Sequence, residues 1–378
     1  ADSSRLLPQS SRGRLAVTGC AGQRISNIVI ITQPPYTERL PRRLEFVRRF
    51  ARSVHATTND DVVRRYLLLR PGDTCNQIRR AESERILRAQ PFLVDARIMV
   101  YDDESGGVRL EVETRDEFSL IFQPRIEARS PVFRGMRLGE SNLAGTARLL
   151  ALEWRDGLEY NDVMGMQFTD FQFGGDRNEL RLLGRRNPRG QELHAELVRP
   201  YYTDLQRFAF VASTDGRRDY ANFRRPDGPG NSVNVTRKSS VIGGVARIGS
   251  VRQLKLAGLT LSHVRERVDS TTVMITRDGF QPDLGEPLGV SFRRQNAVRA
   301  NVLFGMRLLR FVPVEGFDAL TGRQDLRVGL QFGSVFGQSI PIGASRDRDR
   351  FMAGGLYAGF GGAKTFLGTQ IVGEARND

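Results

Sequence analysis

The sequence predicts a small α+β domain over residues 25–116, of order strand, helix, helix, strand, strand, and an all-β antiparallel up-and-down meander over residues 117–378. Three observations predict this. Between Thr57 and Phe118 the helix starts, helix stops and strand alternation are sharp and follow that order. Beyond Phe118 helical periodicity gives way to alternation in segments of about ten residues. Turn-forming clusters separate those segments. Residues 1–24, rich in Ser, Arg, Gly and Gln, read as a flexible leader.

Ile25 to Ile31 reads as the first strand, closed by Gln33-Pro34-Pro35-Tyr36. An inserted helix is expected near 38–55, from Leu44, Val47, Phe50, Ala51 and Val54. Thr58-Asn59-Asp60-Asp61 reads as the next helix start, with short polar side chains for free N–H groups and carboxylates at the positive end of the dipole. That helix carries Val62, Val63, Tyr66 and Leu67, and Arg70-Pro71-Gly72-Asp73 stops it. A further helix from about Asn76 has Ile78, Ala81, Ile86, Leu87 and Ala89 as its apolar positions, and Gln90-Pro91-Phe92 ends it. Strands at Ala96–Tyr101 and Val108–Thr114 flank the turn residues Asp102 to Gly107. In the second, Val108, Leu110 and Val112 alternate with Arg109, Glu111 and Glu113, giving one apolar and one wet face.

This order, with Leu68-Leu69-Arg70-Pro71-Gly72-Asp73, Glu82-Ser83-Glu84-Arg85-Ile86-Leu87-Arg88 and Pro91-Phe92, resembles a POTRA domain, the periplasmic module of the BamA/TamA-like outer-membrane superfamily. The insertion before Thr58 departs from that pattern. The resemblance implies a periplasmic small domain that takes an extended client polypeptide as an added strand, beside an outer-membrane β-barrel. The residues expected to touch a client are Arg97, Met99, Val108, Leu110 and Val112, with packing of the domain's own sheet as the plain alternative for the apolar ones. Cys20 precedes the first strand and Cys75 lies between the helices, which places both at one end of the domain. In an oxidising periplasm a disulfide there would contribute about 2 to 4 kcal/mol, and two free thiols is the alternative.

In the meander, Val328, Leu330, Phe332 and Phe336 alternate with Gly329, Gln331 and Gly333; Leu193, Ala195 and Leu197 with Glu192, His194 and Glu196; and Val302, Phe304, Met306 and Leu308 with Asn301, Gly305 and Arg307. Met164 to Phe168, Phe208 to Ala212 and Met352 to Phe360 continue the theme. Expected turns lie at Arg155-Asp156-Gly157, Gly174-Gly175-Asp176, Asn187-Pro188-Arg189-Gly190, Thr214-Asp215-Gly216 and Arg277-Asp278-Gly279, with a longer loop at 224–231. This makes a meander of about a dozen strands. Polar residues on one side and apolar residues on the other suit a barrel that spans a membrane, because an arginine facing lipid at midplane costs about 2 to 4 kcal/mol. Leu254–His263 is less regular, and Lys255 there needs a polar neighbour. Gly139 to Thr146, with its Asn142-Leu143-Ala144-Gly145, resembles the stretch that opens the superfamily's barrel, and Arg199-Pro200-Tyr201-Tyr202 resembles a strand-end element there. The superfamily's Arg-Gly-aromatic element has no match, Arg134-Gly135-Met136 lying too early and lacking the aromatic. The last residues carry no terminal aromatic strand, so the barrel is expected to be truncated at its C-terminus.

The net charge of +14 raises polyanion binding, yet lysine occurs only at Lys238, Lys255 and Lys364, and arginine is interleaved with Asp and Glu throughout. No nucleic-acid partner is therefore expected; the expected partners are outer-membrane lipid and extended client polypeptides. His55, His194 and His263 show no metal spacing or nucleophile elbow, and no Cys/His cluster exists, so no catalytic residue, metal or cofactor is assigned. His194 is expected on the polar side of its strand. Gly359-Phe360-Gly361-Gly362-Ala363-Lys364-Thr365 lacks the glycine before lysine that a phosphate loop needs, and reads as a glycine-rich strand and turn. Two rivals stand beside polypeptide handling: a passive pore-forming barrel, and a soluble basic β-rich polyanion binder.

Overall fold

The β-branched run Ile28-Val29-Ile30-Ile31, with backbone pairing to Thr74–Asn76 at Ala21 and Arg24 and to 108–115 from Ile25 to Gln33, makes Ala21–Gln33 a strand, β1. The computed structural model of the protein describes residues 19–35, 56–103, 106–127, 132–156, 162–224, 230–249, 253–276, 279–283, 285, 294–315, 323–342, 345 and 347–377. Most of the expected leader and the whole expected helix at 38–55 lie outside these residues, as does His55. The chain divides into two units: Ala1–Ser119 with Ala144–Thr146 and Pro313–Asp325, and the remainder from Leu120.

In the first unit β1 is followed by helix α1 (Asp60–Tyr66), a short strand β2 (Thr74–Asn76), helix α2 (Gln77–Arg88), β3 (Leu93–Asp102) and β4 (Val108–Asp116). The sheet order is β2-β1-β4-β3. β1 runs parallel to β4, which the α1–α2 crossover allows, and the other pairs are antiparallel. Ile25 and Ile28 from β1, Val63 and Tyr66 from α1, Ile86 and Leu87 from α2, and Ile98, Val108, Leu110 and Val112 from the sheet fill the core. Tyr66 and Phe92 meet there with ring centroids 6.3 Å apart.

The sequence reading has no strand β2 and places the stop of the first helix at Arg70–Asp73, whereas α1 ends at Tyr66; other local details differ as well. Asn59 occupies the start of α1 without a side-chain cap, while buried Thr58 donates to Asp116 through its N–H (2.9 Å) and hydroxyl (2.6 Å). α2 is capped as its chemistry suggests, Asn76 accepting from the N–H groups of Ile78 and Arg79. Its buried face is Ser83, Ile86 and Leu87, whereas Ile78 is 53% exposed and Ala81 and Ala89 are exposed as well. Ser83 earns that place by polar bonding: its hydroxyl donates to the Arg79 carbonyl and accepts from the Leu68 N–H. On β4, Arg109 and Glu113 are half-buried and Glu111 is buried, so the second face is partly covered.

Beyond Ser119 a 14-stranded sheet follows chain order. Its strands are β5 (Leu120–Ile126), β6 (Phe133–Glu140), β7 (Arg148–Arg155), β8 (Val163–Phe173), β9 (Asn178–Asn187), β10 (Gly190–Arg199), β11 (Phe208–Arg224), β12 (Gly230–Arg247), β13 (Leu254–Thr276), β14 (Gly279–Pro282), β15 (Gln295–Glu315), β16 (Arg323–Ser339), β17 (Arg350–Gly361) and β18 (Phe366–Asn377). It is an antiparallel up-and-down meander, with β14 folding back on β13. Turns form at Gly174-Gly175, where φ is +72° and +77°, and between Asn187 and Gly190. Gly361 (φ +113°) opens the glycine-rich turn into β18, where Gly362 N–H donates to the Thr365 carbonyl.

Thr214-Asp215-Gly216 is not a turn. It lies inside β11, paired with β10 on one side and β12 on the other, and Asp215 uses its carboxylate on His194. Turn-forming residues occur here because one sheet face is polar and Gly216 stands on the other. Residues 157, 277 and 278 of two further expected turns, and most of the 224–231 loop, lie outside the described residues.

Candidate functional site

Cross-strand register sorts the large sheet into two chemically distinct faces. One row runs Leu138–Leu152–Met166–Gly184–Leu193 from β6 to β10. Another runs Leu197–Ala212–Ile242–Leu261–Ala300 from β10 to β15, and Phe332–Leu356–Ile371 crosses β16 to β18. Large side chains of these rows are exposed: Leu152 is 58% exposed, Met166 51%, Leu193 61% and Ile242 62%. Large apolar residues are thus laid out continuously on one face, far beyond the few hundred Å² that soluble monomers usually expose. Among the described residues no helix is long and apolar enough to cross a membrane.

The opposite face carries alternating charge. A single row reads Arg137–Glu153–Gly165–Arg185–Glu192–Arg217–Arg237–Glu266. Arg185 lies 3.5 Å from both Glu153 and Glu192, Arg217 is paired with Asp219, and Arg237 with Glu266. Two rows away on the same face Arg181 joins Glu196 at 2.9 Å and also Glu179. Each such pair is worth little by itself; together they leave the arginines of this face charge-matched. His194 lies here as the sequence suggests, its Nδ1 2.5 Å from Asp215 Oδ1, while His263 sits on the apolar face, bonded to Asn296. In the β8–β9 turn the Asp176 carboxyl is held below its usual range, first by the Arg177 N–H it accepts from and then by Arg199, against the opposing effect of partial burial.

A buried charge cluster at the ends of β15, β17 and β18 went unseen in the sequence. Asp349, with a side chain 1% exposed, accepts from Arg299 Nε (2.7 Å) and NH2 (2.5 Å) and from Arg376 Nε at 3.0 Å. Its own N–H donates to Ser339 Oγ, and Arg299 lies over the Phe351 ring. The connection from β16 to β17 is further held on β15: Ile340 N–H donates to the Val298 carbonyl, and Asp347 accepts from Asn296 N–H at 2.6 Å. In the sequence Asp349 sits in an alternating Arg/Asp run that looks solvated, and nothing local marks it as buried.

The outer strands of the small sheet are the three-residue β2 and the longer β3, and the five expected client residues divide around β3. Arg97 and Met99 lie on β3, Arg97 half-exposed and paired with Asp95. Val108, Leu110 and Val112 lie on β4, hydrogen-bonded to β1 and β3 and no more than 1% exposed. A strand paired on both sides offers no edge, so these three build the core. The edge of β3 is itself covered by α2: Ile98 N–H donates to Glu84 Oε1 (2.8 Å), Arg80 donates to the Ile98 carbonyl (2.7 Å) and Arg88 to the Ala96 carbonyl (3.3 Å). Arg88 also forms a two-point bond with Asp325. At the other end of the sheet Cys20 and Cys75 are joined in a disulfide, Cα atoms 5.0 Å apart.

No family model matches the chain, and no curated protein matches it. Among solved structures it is similar to BamA from Haemophilus ducreyi lacking POTRA domains 1–3, at 11% identity and a TM-score of 0.37, over 93% of this chain and 56% of that one. It is also similar to CdiB from Acinetobacter baumannii, at 10% identity and a TM-score of 0.31, over 93% of this chain and 67% of that one. The chain therefore spans little more than half the length of the BamA structure it matches.

Proposed function

We propose that the protein is a bacterial outer-membrane β-barrel protein with a POTRA-like periplasmic domain, acting in insertion, assembly or translocation of polypeptides. The observation that carries the membrane assignment is the two-faced sheet. A continuous apolar face suits acyl chains, and arginine–carboxylate rows on the opposite face suit a polar lumen. In hydrocarbon every backbone group must be paired, so the outer sides of β5 and β18 must find partners for the sheet to close. The full chain, extracted from the envelope in mild detergent, is expected to change gel mobility on boiling, because closed membrane barrels hold their shape until heated. Release by salt or alkali with identical mobility either way would sink the membrane reading and favour the soluble polyanion binder.

The POTRA-like reading is supported by the order β1-α1-α2-β3-β4, interrupted only by the three-residue β2 between the helices, and by β4 lying between β1 and β3. Client capture is assigned to β3, through Arg97 and Met99. Because Glu84 and Arg80 occupy the Ile98 backbone groups, an added strand must displace them. A photo-crosslinker at Met99 is therefore expected to capture extended polypeptide, several-fold more in a chain carrying Glu84→Ala and Arg80→Ala. Equal capture in both chains would remove the edge from the proposal. Ion conductance without any effect on assembly of other barrels would instead favour the passive pore, which the charged face also supports.

A further inference from the structure

Most arginines in the charged row of the large sheet have carboxylate partners, but a second set of cations stands on the apolar face and has none among the described residues. Following the apolar row past Leu193, the register continues Gly216–Lys238–Arg265 across β11, β12 and β13. The neighbouring row on the same face reads Trp154–Met164–Arg186–Gln191–Arg218–Thr236–Arg267. Five cations thus lie within five adjacent strands, all exposed or half-exposed. Lys238 and Arg265 are directly opposite each other, an arrangement of like charges that disfavours the pairing unless an anion sits between them. Among the described residues no carboxylate forms an ion pair with any of the five; Arg218 donates to the Asn234 amide oxygen at 3.4 Å.

Their position along the strands matters as much as their charge. On β13 the same face carries Leu259 and Leu261 and then, four and six residues after Leu261, Arg265 and Arg267; β11 likewise passes from Phe208 and Phe210 to Arg218. The cations therefore mark where the apolar belt stops. Trp154 lies in their row, and Tyr220, two residues beyond Arg218, stacks on Phe280 at 5.2 Å, the placement that amphipathic rings take at a lipid–water boundary. Beside Arg186 the face is hollowed: Gly184 and Gly216 leave the space of a side chain open, and a cavity of about 720 Å³ is lined by Leu152, Trp154, Met164, Met166 and Leu193.

We propose that this is a seat for a phosphate-bearing lipid headgroup: the phosphate bridges Lys238, Arg265 and Arg267, with Arg186 and Arg218 flanking it, and an acyl chain fills the hollow. Arginine suits the task because its planar fork binds phosphate oxygens two at a time. The inference rests on the membrane reading, and it explains why these cations form no ion pair with a carboxylate among the described residues.

The test uses the full chain inserted into phosphatidylcholine vesicles containing phosphatidylglycerol, then released into mild detergent for native mass spectrometry. Retention of phosphatidylglycerol over phosphatidylcholine is expected at about tenfold or more. Lys238→Gln with Arg265→Gln and Arg267→Gln should abolish that preference, whereas Arg265→Lys with Arg267→Lys should keep it. Unchanged heat-dependent gel mobility shows that the variants are folded. Millimolar inorganic phosphate should leave retention intact; displacement by it would mark a site for free phosphate and overturn the lipid seat. Equal retention of the two lipids by the natural chain, or by the neutral variant and the natural chain, overturns the seat and spares the membrane reading. A chain that never enters the vesicles overturns both.

Discussion

Replacing Asp349 by alanine is expected to destabilise the large sheet by about 3 to 5 kcal/mol, because it leaves a buried guanidinium without its counter-charge. The side chains of Asp349 and Arg299 are 1% and 7% exposed, so water cannot take over the lost bonds. Arg376, the third member, is 36% exposed and can rehydrate, which assigns most of the cost to Arg299. Asp349→Asn keeps the shape and one acceptor oxygen and should cost less. The decisive comparison is Asp349→Met combined with Arg299→Met. Replacing a buried pair with apolar side chains of similar volume is often neutral, so the double variant should regain much of what the alanine variant lost. Urea unfolding followed through Trp154, the chain's single tryptophan, measures all three. A midpoint for Asp349→Ala equal to that of the natural chain would mean the cluster stabilises nothing. The cluster also holds the β16–β17 connection on β15, so hydrogen exchange at Ile340 should accelerate in Asp349→Ala.

The parts of the structure readable from the sequence are those in which the same period repeats. Val108, Leu110 and Val112 give β4, and Leu193, Ala195 and Leu197 give one face of β10, because a difference in surroundings between the two sides of a strand leaves its mark at every second residue. The helix start near Asn76 is equally local, whereas α1 ends at Tyr66, ahead of the stop expected at Arg70–Asp73. What the sequence hid depends on partners distant in the chain. Ile78 matches an apolar helix face by spacing, yet Ser83 takes the buried place because the Leu68 N–H needs an acceptor. β11 and β13 run on through Asp215 and Arg265 because both residues are paired with a strand on either side, so polar stretches remain in the ladder. The edge residues failed in the same way. Alternation shows that Val108 faces a core, but only sheet order shows that β4 is central and that β3 is an outer strand, behind Arg80 and Glu84.

Breaking the Cys20–Cys75 bond should loosen the small domain by about 2 to 4 kcal/mol while leaving the large sheet untouched. The bridge joins residues 55 apart, a span whose freedom in the unfolded chain is costly to remove. In the folded domain it pins the start of β1 to the segment between the helices, where Arg24 already pairs with Thr74, Ile25 N–H donates to the Asp73 carbonyl, and Gly72 N–H donates to the Ile25 carbonyl. Those bonds survive reduction, so the native geometry should persist and the loss should fall on opening free energy. Cys20→Ala with Cys75→Ala is the cleaner variant, since Cys75 is 2% exposed and a serine hydroxyl there would lack a partner. Native-state hydrogen exchange separates the two units: amides of β1, α1 and α2 should exchange about thirty-fold faster or more in the variant, with those of β10 to β13 unchanged. Equal protection in β1 would show that the strand pairing alone holds this end of the sheet. Faster exchange in both units would show instead that the chain unfolds as one body, and the disulfide would then stabilise the large sheet as well.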